Sequence, residues 1–243
     1  MLLVPAYNES HRFSAEYFLN LQKLCSNLKI IFINDGSTDT TLSVLHATTR
    51  IVPDSLVINL EKNVGKANAI REGFLLALEI FPESIWVGFV DADGSFLIEE
   101  IANTIAMIED AADDFDAVFT KRKVSFEQGS NQKILRIAAS NLVFKFLVLG
   151  WGQHPDDIQS GFKFFRISEA LTFVLASKFK TGWFFEWEII IRLRSRKVLL
   201  RTLQVPVKFS HQENSHIDFR RYPRILSEVL FIKLQQIKSI VLN

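Results

Sequence analysis

The 243-residue sequence predicts an α/β fold in which a mostly parallel central sheet is flanked by helices. Three observations carry this expectation. Short apolar runs alternate with segments of helical periodicity, which implies parallel pairing and a doubly wound sheet. Each of the first four runs ends in a polar loop built from turn-forming and helix-opening residues. Apolar residues make up 48% of the chain, enough for a substantial core.

Leu2–Pro5 is the first strand and enters the loop Ala6-Tyr7-Asn8-Glu9-Ser10. Phe13, Tyr17, Leu21 and Leu24 recur at helical spacing and predict a helix over 13–27. Lys29–Ile33 is a second strand, ending in Asn34-Asp35-Gly36-Ser37, with a helix beginning near Thr40. Ser55–Leu60 is a third strand; its loop, residues 61–66, leads into a helix over 67–81. Ile85–Val90 is a fourth, closed by Asp91-Ala92-Asp93-Gly94. The second half is less regular. It predicts a strand over Asp116–Lys121, a long apolar helix over 131–149, and a loop running into a strand over Asp157–Arg166. A helix over Glu186–Arg194, a strand-rich stretch over Val198–Phe209 and a last helix over 222–242 complete it.

A net charge of +1 gives no basic field of the kind nucleic acid requires. Cys25 is the single cysteine, which excludes an intrachain disulfide or a cysteine-based zinc site and suits a reducing, cytoplasmic compartment. The first strand begins at Leu2, read as leaving no room for a signal peptide, and no apolar run reaches the ~20 residues that span a bilayer. Twenty-two phenylalanines against three tyrosines point to large buried or membrane-facing apolar surfaces.

Ligands of open α/β sheets bind beyond the carboxyl ends of the strands, and every polar cluster named above lies at such an end. Asp91 and Asp93 suit Mg²⁺ or Mn²⁺ as hard oxygen ligands, if extended backbone aims both to one side. The same residues also read as a strand-terminating Asp-Gly turn. Asp35 can accept from the imide of a uracil or the N1–H edge of a guanine, while Asp39 caps the following helix. Asn63-Val64-Gly65-Lys66 is a fragment of a phosphate loop, with Lys66 at a helix start facing a diphosphate. The acidic residues Asp110, Asp113, Asp114 and Asp116 read as a solvated helix end and loop.

Taken in order, Val4–Glu9, Asn34–Asp39, Asn63–Lys66 and Asp91–Gly94 resemble the signature of family 2 glycosyltransferases. Downstream, Asp157–Phe165, Trp183–Glu188 and Val205–Phe209 are similar to the polyprenyl-phosphate branch of that family, to which dolichyl-phosphate β-glucosyltransferases and mannose synthases belong. The resemblance implies a GT-A, Rossmann-like fold in one domain, with residues 1–94 binding the nucleotide, 95–221 the acceptor side, and 222–243 an amphipathic helix. It implies that Pro5, Ala6, Tyr7, Glu9, Asp35, Lys66, Asp91 and Ala92 hold a UDP- or GDP-sugar. Asp91 and Asp93 would hold a divalent metal. Asp157, Gln159, Lys163, Glu186 and Glu188 would form the catalytic and acceptor side, with Lys121 and Arg122 toward an acceptor phosphate.

The chain departs from the family pattern in three places. Asn34 stands where a first Asp is usual, Glu186 replaces an Asp, and Ser210–His216 replaces a Gly- and Lys-containing stretch. His211 and His216 read either as phosphate-facing substitutes or as solvated loop residues. The implied reaction is an inverting hexose transfer to a polyprenyl phosphate, or to a hydroxyl in surface-polysaccharide synthesis. A sugar nucleotidyltransferase is disfavoured because residues 1–20 contain no glycine for its N-terminal loop. In the last helix Leu226, Leu230, Leu234, Ile237 and Val241, with Ile225, Val229 and Ile240 beside them, form one wide apolar stripe with basic neighbours, which fits either a membrane surface or packing on the domain or on a second subunit.

Overall fold

Leu2, Leu3 and Val4 are all buried, although successive strand residues point to opposite faces, so helices must cover the sheet on both sides. The computed structural model describes residues 1–110, 114–123, 142–150, 154–208 and 222–241. Its first half runs β1 (Leu2–Ala6), α1 (Ala15–Leu24), β2 (Ile30–Asp35), α2 (Thr41–Thr49), β3 (Ser55–Leu60), α3 (Lys66–Ile80) and β4 (Trp86–Val90). The second half runs α4 (Ile98–Asp110), β5 (Ala117–Lys123), β6 (Phe162–Arg166), α5 (Glu169–Ala176), α6 (Phe185–Arg194), β7 (Thr202–Lys208) and α7 (Tyr222–Val241). Residues 142–148 are also helical; the remainder of the long helix expected over 131–149 lies outside the described residues. Of α4 only the end near Asp110 was anticipated, and α5 was not, because no flanking motif drew attention to their apolar periodicity.

The seven strands form one sheet in the order β3-β2-β1-β4-β6-β5-β7. All pairs are parallel except those of β6, which runs antiparallel to both β4 and β5. Leu2, Val4, Phe32 and Val90 face one core with Phe18 and Leu21 of α1 and Ile101 of α4. Leu3, Ile31, Ile33 and Phe89 face the other, under α3, α5, α6 and α7. Most of the described phenylalanines fill these two cores, with Phe13, Phe18 and Phe32 in ring contact on one side and Phe89, Phe165 and Phe119 on the other.

Two features of this topology position the site. Strand order reverses at β1, so a crevice opens beyond the ends of β1 and β4. Because β6 is antiparallel, its beginning lies beside the end of β4, with Phe162 opposite Val90. The 156–161 loop therefore reaches the same edge as Asp91, although it precedes its strand rather than following it.

Helix α7 divides its apolar residues between two faces. Val229 and Ile232 are buried against the domain, whereas Leu226, Leu230, Leu234 and Ile237 are half or more exposed. Buried Glu228 accepts from the Trp183 N–H at 2.8 Å and fastens the helix to the loop before α6. Among the described residues, no helix is long and apolar enough to cross a membrane.

Candidate active site

The loops after β1 and β2 are laced together. Asn8, at φ 54°, donates its N–H to Ser37 Oγ and accepts from the Thr38 N–H at 2.9 Å. Glu9 N–H donates to Thr41 Oγ1 at 2.8 Å. Asp39 closes the turn into α2: Oδ1 accepts from the Thr41 N–H and Oδ2 from the Ser10 hydroxyl. Chiefly the Thr41 hydroxyl bond, with the Ser10 bond beside it, holds its carboxyl well below the usual range. Pro5 is half-buried, Ala6 buried, and Tyr7 exposed at the rim. Glu9 keeps one oxygen on Arg12, while Oε2 is buried without a hydrogen-bond partner among the described residues. Burial raises the Glu9 carboxyl, against the pull of Arg12.

Asp35 does something the sequence did not disclose. Its two oxygens accept the backbone N–H groups of Val64 (2.7 Å) and Gly65 (3.0 Å), and the residue is only 2% exposed. Burial raises its carboxyl, offset in part by those two bonds. Gly36 is needed here: at φ 62°, a Cβ would fall 2.3 Å from the Lys62 carbonyl carbon. The 62–65 loop thus lies flush against the end of β2, and this fixes Lys66 at the start of α3. From there the Lys66 ammonium bonds Asp91 Oδ1. Burial opposes the Lys66 charge, but Asp91, Glu186 and Asp93 outweigh it and its pKa is raised.

Asp91 and Asp93 lie just past β4, and Ala92 and Asp93 form a turn rather than extended chain. Asp93 Oδ1 accepts the Ser95 N–H (3.1 Å) and hydroxyl (2.7 Å), so the turn reading and the ligand reading hold together. Among the described residues no cluster of three or more His, Cys, Asp or Glu side chains forms a cation cage. Two carboxylates nonetheless fit Mg²⁺ or Mn²⁺, which take one or two from protein and share the remaining shell with water and substrate phosphates. The Lys66 ammonium already stands on Asp91 as a positive charge would.

The residues expected on the acceptor side come from β5, the 156–161 loop and α6. Arg122 holds Asp157 through Nε (2.8 Å) and an Nη (2.9 Å), and its N–H adds a third bond. Lys121 pairs with Asp156 at 2.7 Å, half exposed on both sides. Gln159 donates to the Trp183 carbonyl at 3.2 Å, joining this loop to the start of α6. Lys163 does not line the acceptor side as expected. It is 0% exposed, donates to Glu186 Oε1 (2.7 Å) and the Ile158 carbonyl (2.8 Å), and stands 5.0 Å from the Phe89 ring centre. Burial pulls its pKa down despite the Glu186 carboxylate. Glu186 Oε2 remains buried with no partner among the described residues.

Glu188 departs furthest from expectation. Positions two apart on a helix differ by about 200°, so Glu186 and Glu188 leave α6 on opposite sides. Glu188 turns to the 177–184 loop, accepting from the Lys180 and Thr181 N–H groups, the Thr181 hydroxyl and Arg192. Its carboxylate is consumed by that anchoring. The 210–216 stretch, with His211 and His216, and Asp113 lie outside the described residues. Asp114 is exposed, whereas Asp116 is held by Arg201 at 2.9 Å.

One contributor was missed in the sequence. Gly161 abuts Asp91: a Cβ there would lie 2.2 Å from Asp91 Oδ2. Its position inside a quoted motif was the available signal, but not its partner.

Among proteins of known name, the chain is 28% identical over 220 residues to a dolichyl-phosphate beta-glucosyltransferase of Trichomonas vaginalis, covering 86% of this chain and 63% of that protein. It is 24% identical over 238 residues to the dolichyl-phosphate beta-glucosyltransferase of Saccharomyces cerevisiae, covering 88% and 67%. The chain thus spans about two thirds of the length of these relatives. Its fold is similar to that of glucosyl-3-phosphoglycerate synthase from Mycobacterium tuberculosis, solved with Mn²⁺, UDP and glucosyl-3-phosphoglycerate: TM-score 0.60, 16% identity, 98% of this chain and 78% of that one. That likeness and the sheet order give the chain a GT-A fold. The model described as glycosyl transferase family 2 matches residues 1–174, the stretch that carries the β1, β2 and β4 loops and the 156–161 loop, so the chain belongs to that family.

Proposed function

We propose that this chain transfers a hexose, glucose in the first place, from a uridine diphosphate sugar to a polyprenyl phosphate at a membrane surface, with inversion. The observation that carries the reading is the Lys66–Asp91 contact at the β1/β4 crevice, which sets a cation against the first of two strand-end carboxylates. A Mg²⁺ or Mn²⁺ ion on Asp91 and Asp93 would supply neutralisation of charge on the departing diphosphate. Lys66 adds a fixed positive charge on the same side. The orphaned Glu9 Oε2 offers a buried acceptor to a nucleotide hydroxyl, beside Pro5, Ala6 and Tyr7. Asp35 acts on the donor through the 63–66 loop. The relatives named as dolichyl-phosphate beta-glucosyltransferases support glucose and a lipid phosphate, and the neighbour solved with Mn²⁺ and UDP supports the base and the metal.

A phosphate monoester needs little help from a base, since its second pKa is about 6. It needs positive charge. Lys121 stands at the end of β5 in an exposed ion pair, a type worth only ~0–1 kcal/mol, so an incoming phosphate can displace Asp156 from it. Arg122, tied to Asp157, shapes the same wall. The exposed row Leu226, Leu230, Leu234 and Ile237, with Lys238 nearby, suits α7 to the bilayer that carries the acceptor. A hydroxyl acceptor is the second reading, favoured by Glu186 Oε2, a buried carboxylate oxygen available to take a proton.

Transfer assays with UDP-glucose, UDP-N-acetylglucosamine, UDP-galactose and GDP-mannose, with Mn²⁺ and a short-chain polyprenyl phosphate, test this. Glucose should pass to the lipid fraction from UDP-glucose above the others. Preferred turnover of GDP-mannose would overturn the donor, and transfer to sugar hydroxyls with none to lipid phosphate would move the function to the second reading.

A further inference from the structure

A cavity of about 530 Å³ lies away from the donor crevice, between α5, α6 and α7. Glu188 and Arg192 on its wall satisfy each other, and Arg192 also donates to the carbonyls of Val174, Ser177 and Lys178. Neither is left to define the cavity's charge. Lys180, Arg196 and Lys238 also line it, and among the described residues no carboxylate forms an ion pair with them. Two of these cations lie on aromatic rings: Lys180 Nζ is 5.5 Å from the Phe231 centre, and the Arg196 guanidinium carbon 3.3 Å from that of Phe173. All three residues are exposed and line one hollow, so they give it positive charge, and a phosphate ester is the kind of anion that accepts charge-assisted bonds from such groups.

The position of the cavity narrows the source of that anion. Its α7 wall is Phe231, Ile232, Gln235 and Lys238. At 100° per residue, these positions adjoin the exposed row Leu230, Leu234 and Ile237 around the helix. On the other side of that row, Lys233 donates to the Leu149 carbonyl and stands 5.2 Å from the Phe146 ring centre. Leu142, Phe146 and Leu149 are exposed there, with Lys145. An apolar face with basic groups on both sides is complementary to an anionic bilayer, and the α7 wall of the cavity borders that face.

We propose that this cavity binds the phosphate of an anionic phospholipid headgroup and so holds the protein on the bilayer beside its acceptor. The proposal rests on the membrane-facing reading of α7, and the experiment separates the two. Calorimetry of the full chain with dihexanoyl phosphatidylglycerol, kept below its micelle concentration, should give saturable one-to-one binding. The K180Q/R196Q/K238Q variant should bind roughly tenfold or more weakly, because the charge-assisted bonds to the phosphate are lost. Its thermal shift with UDP should be unchanged, which shows that it is folded. L230S/L234S should keep headgroup binding but lose sedimentation with vesicles of phosphatidylcholine and phosphatidylglycerol. Headgroup binding equal in the triple variant and wild type overturns the cavity assignment, and inorganic phosphate bound as tightly as the headgroup overturns the lipid source. Headgroup binding by wild type without any vesicle sedimentation keeps the headgroup site but overturns its holding of the protein on the bilayer, and with it the membrane role of α7.

Discussion

Gly161 and Asp91, 70 positions apart in sequence, share a space that admits only one side chain. A Cβ on Gly161 would sit 2.2 Å from Asp91 Oδ2 and 2.9 Å from its Cγ. Asp91 is half-buried and can yield, so Gly161→Ala should fold while its carboxylate is pushed aside. Misplacement of a site group by about 1 Å costs on the order of a hundredfold in turnover. We expect a loss of that size with a melting temperature near wild type. Wild-type turnover in Gly161→Ala would show that the position of Asp91 is unimportant.

Asp93→Asn should keep the turn after β4, because an amide oxygen can still accept from Ser95. What it removes is charge. Calorimetry of UDP with and without Mn²⁺ should show metal-enhanced binding in wild type and none in the variant. The same affinity in all four measurements would remove the metal role from this pair.

Asp35→Ala should loosen the loop that places Lys66. Two backbone N–H groups lose their acceptor, a cost of about 1–3 kcal/mol for such groups. Denaturant midpoints and nucleotide affinity should both fall, because the loop that places Lys66 is held by these two bonds. If affinity falls while stability is unchanged, Asp35 instead contacts the nucleotide itself.

Lys163 and Glu186 form a buried pair, so removing one partner is worse than removing both. Lys163→Met leaves a buried carboxylate and should cost about 3–5 kcal/mol, with the Lys163→Met/Glu186→Leu double variant recovering part of it. The pair also leaves a pH signature. Burial puts the folded pKa of Lys163 below its unfolded value, so between the two the unfolded chain binds more protons. Stability should therefore gain from this group as pH rises through that window toward 10.5, the ordinary lysine value. Urea titrations across the window should show the gain in wild type and its absence in Lys163→Met.

Much of the architecture was legible in the order of residues. Strands and helices announce themselves through local periodicity, and the loops after β1, β2, β3 and β4 carry their chemistry in short contiguous motifs. Parallel strands then bring those loops to one edge, which is why the polar edge of the sheet was readable before any distance was known. The reading weakened where roles depend on partners far away in the chain. Asp35 looked available to a base, yet each of its oxygens also accepts a backbone N–H from residues 64 and 65, about 30 positions on. Lys163 looked like an acceptor-side cation, but its position in antiparallel β6 turns it inward beneath Glu186.

Sequence alone therefore determined the α/β alternation, the polar edge and the family signature, because each is written in neighbouring residues. Tertiary structure decided which carboxylates face the crevice. Glu186 and Glu188 are equivalent in type and two positions apart, and the helical turn sends one to Lys163 and the other to Thr181. It likewise divided α7, whose apolar periodicity is wider than one face: packing buried Val229 and Ile232 and left Leu230 and Leu234 outside. Periodicity records that a residue is apolar or charged, but burial and pairing are settled by which distant surface arrives to meet it.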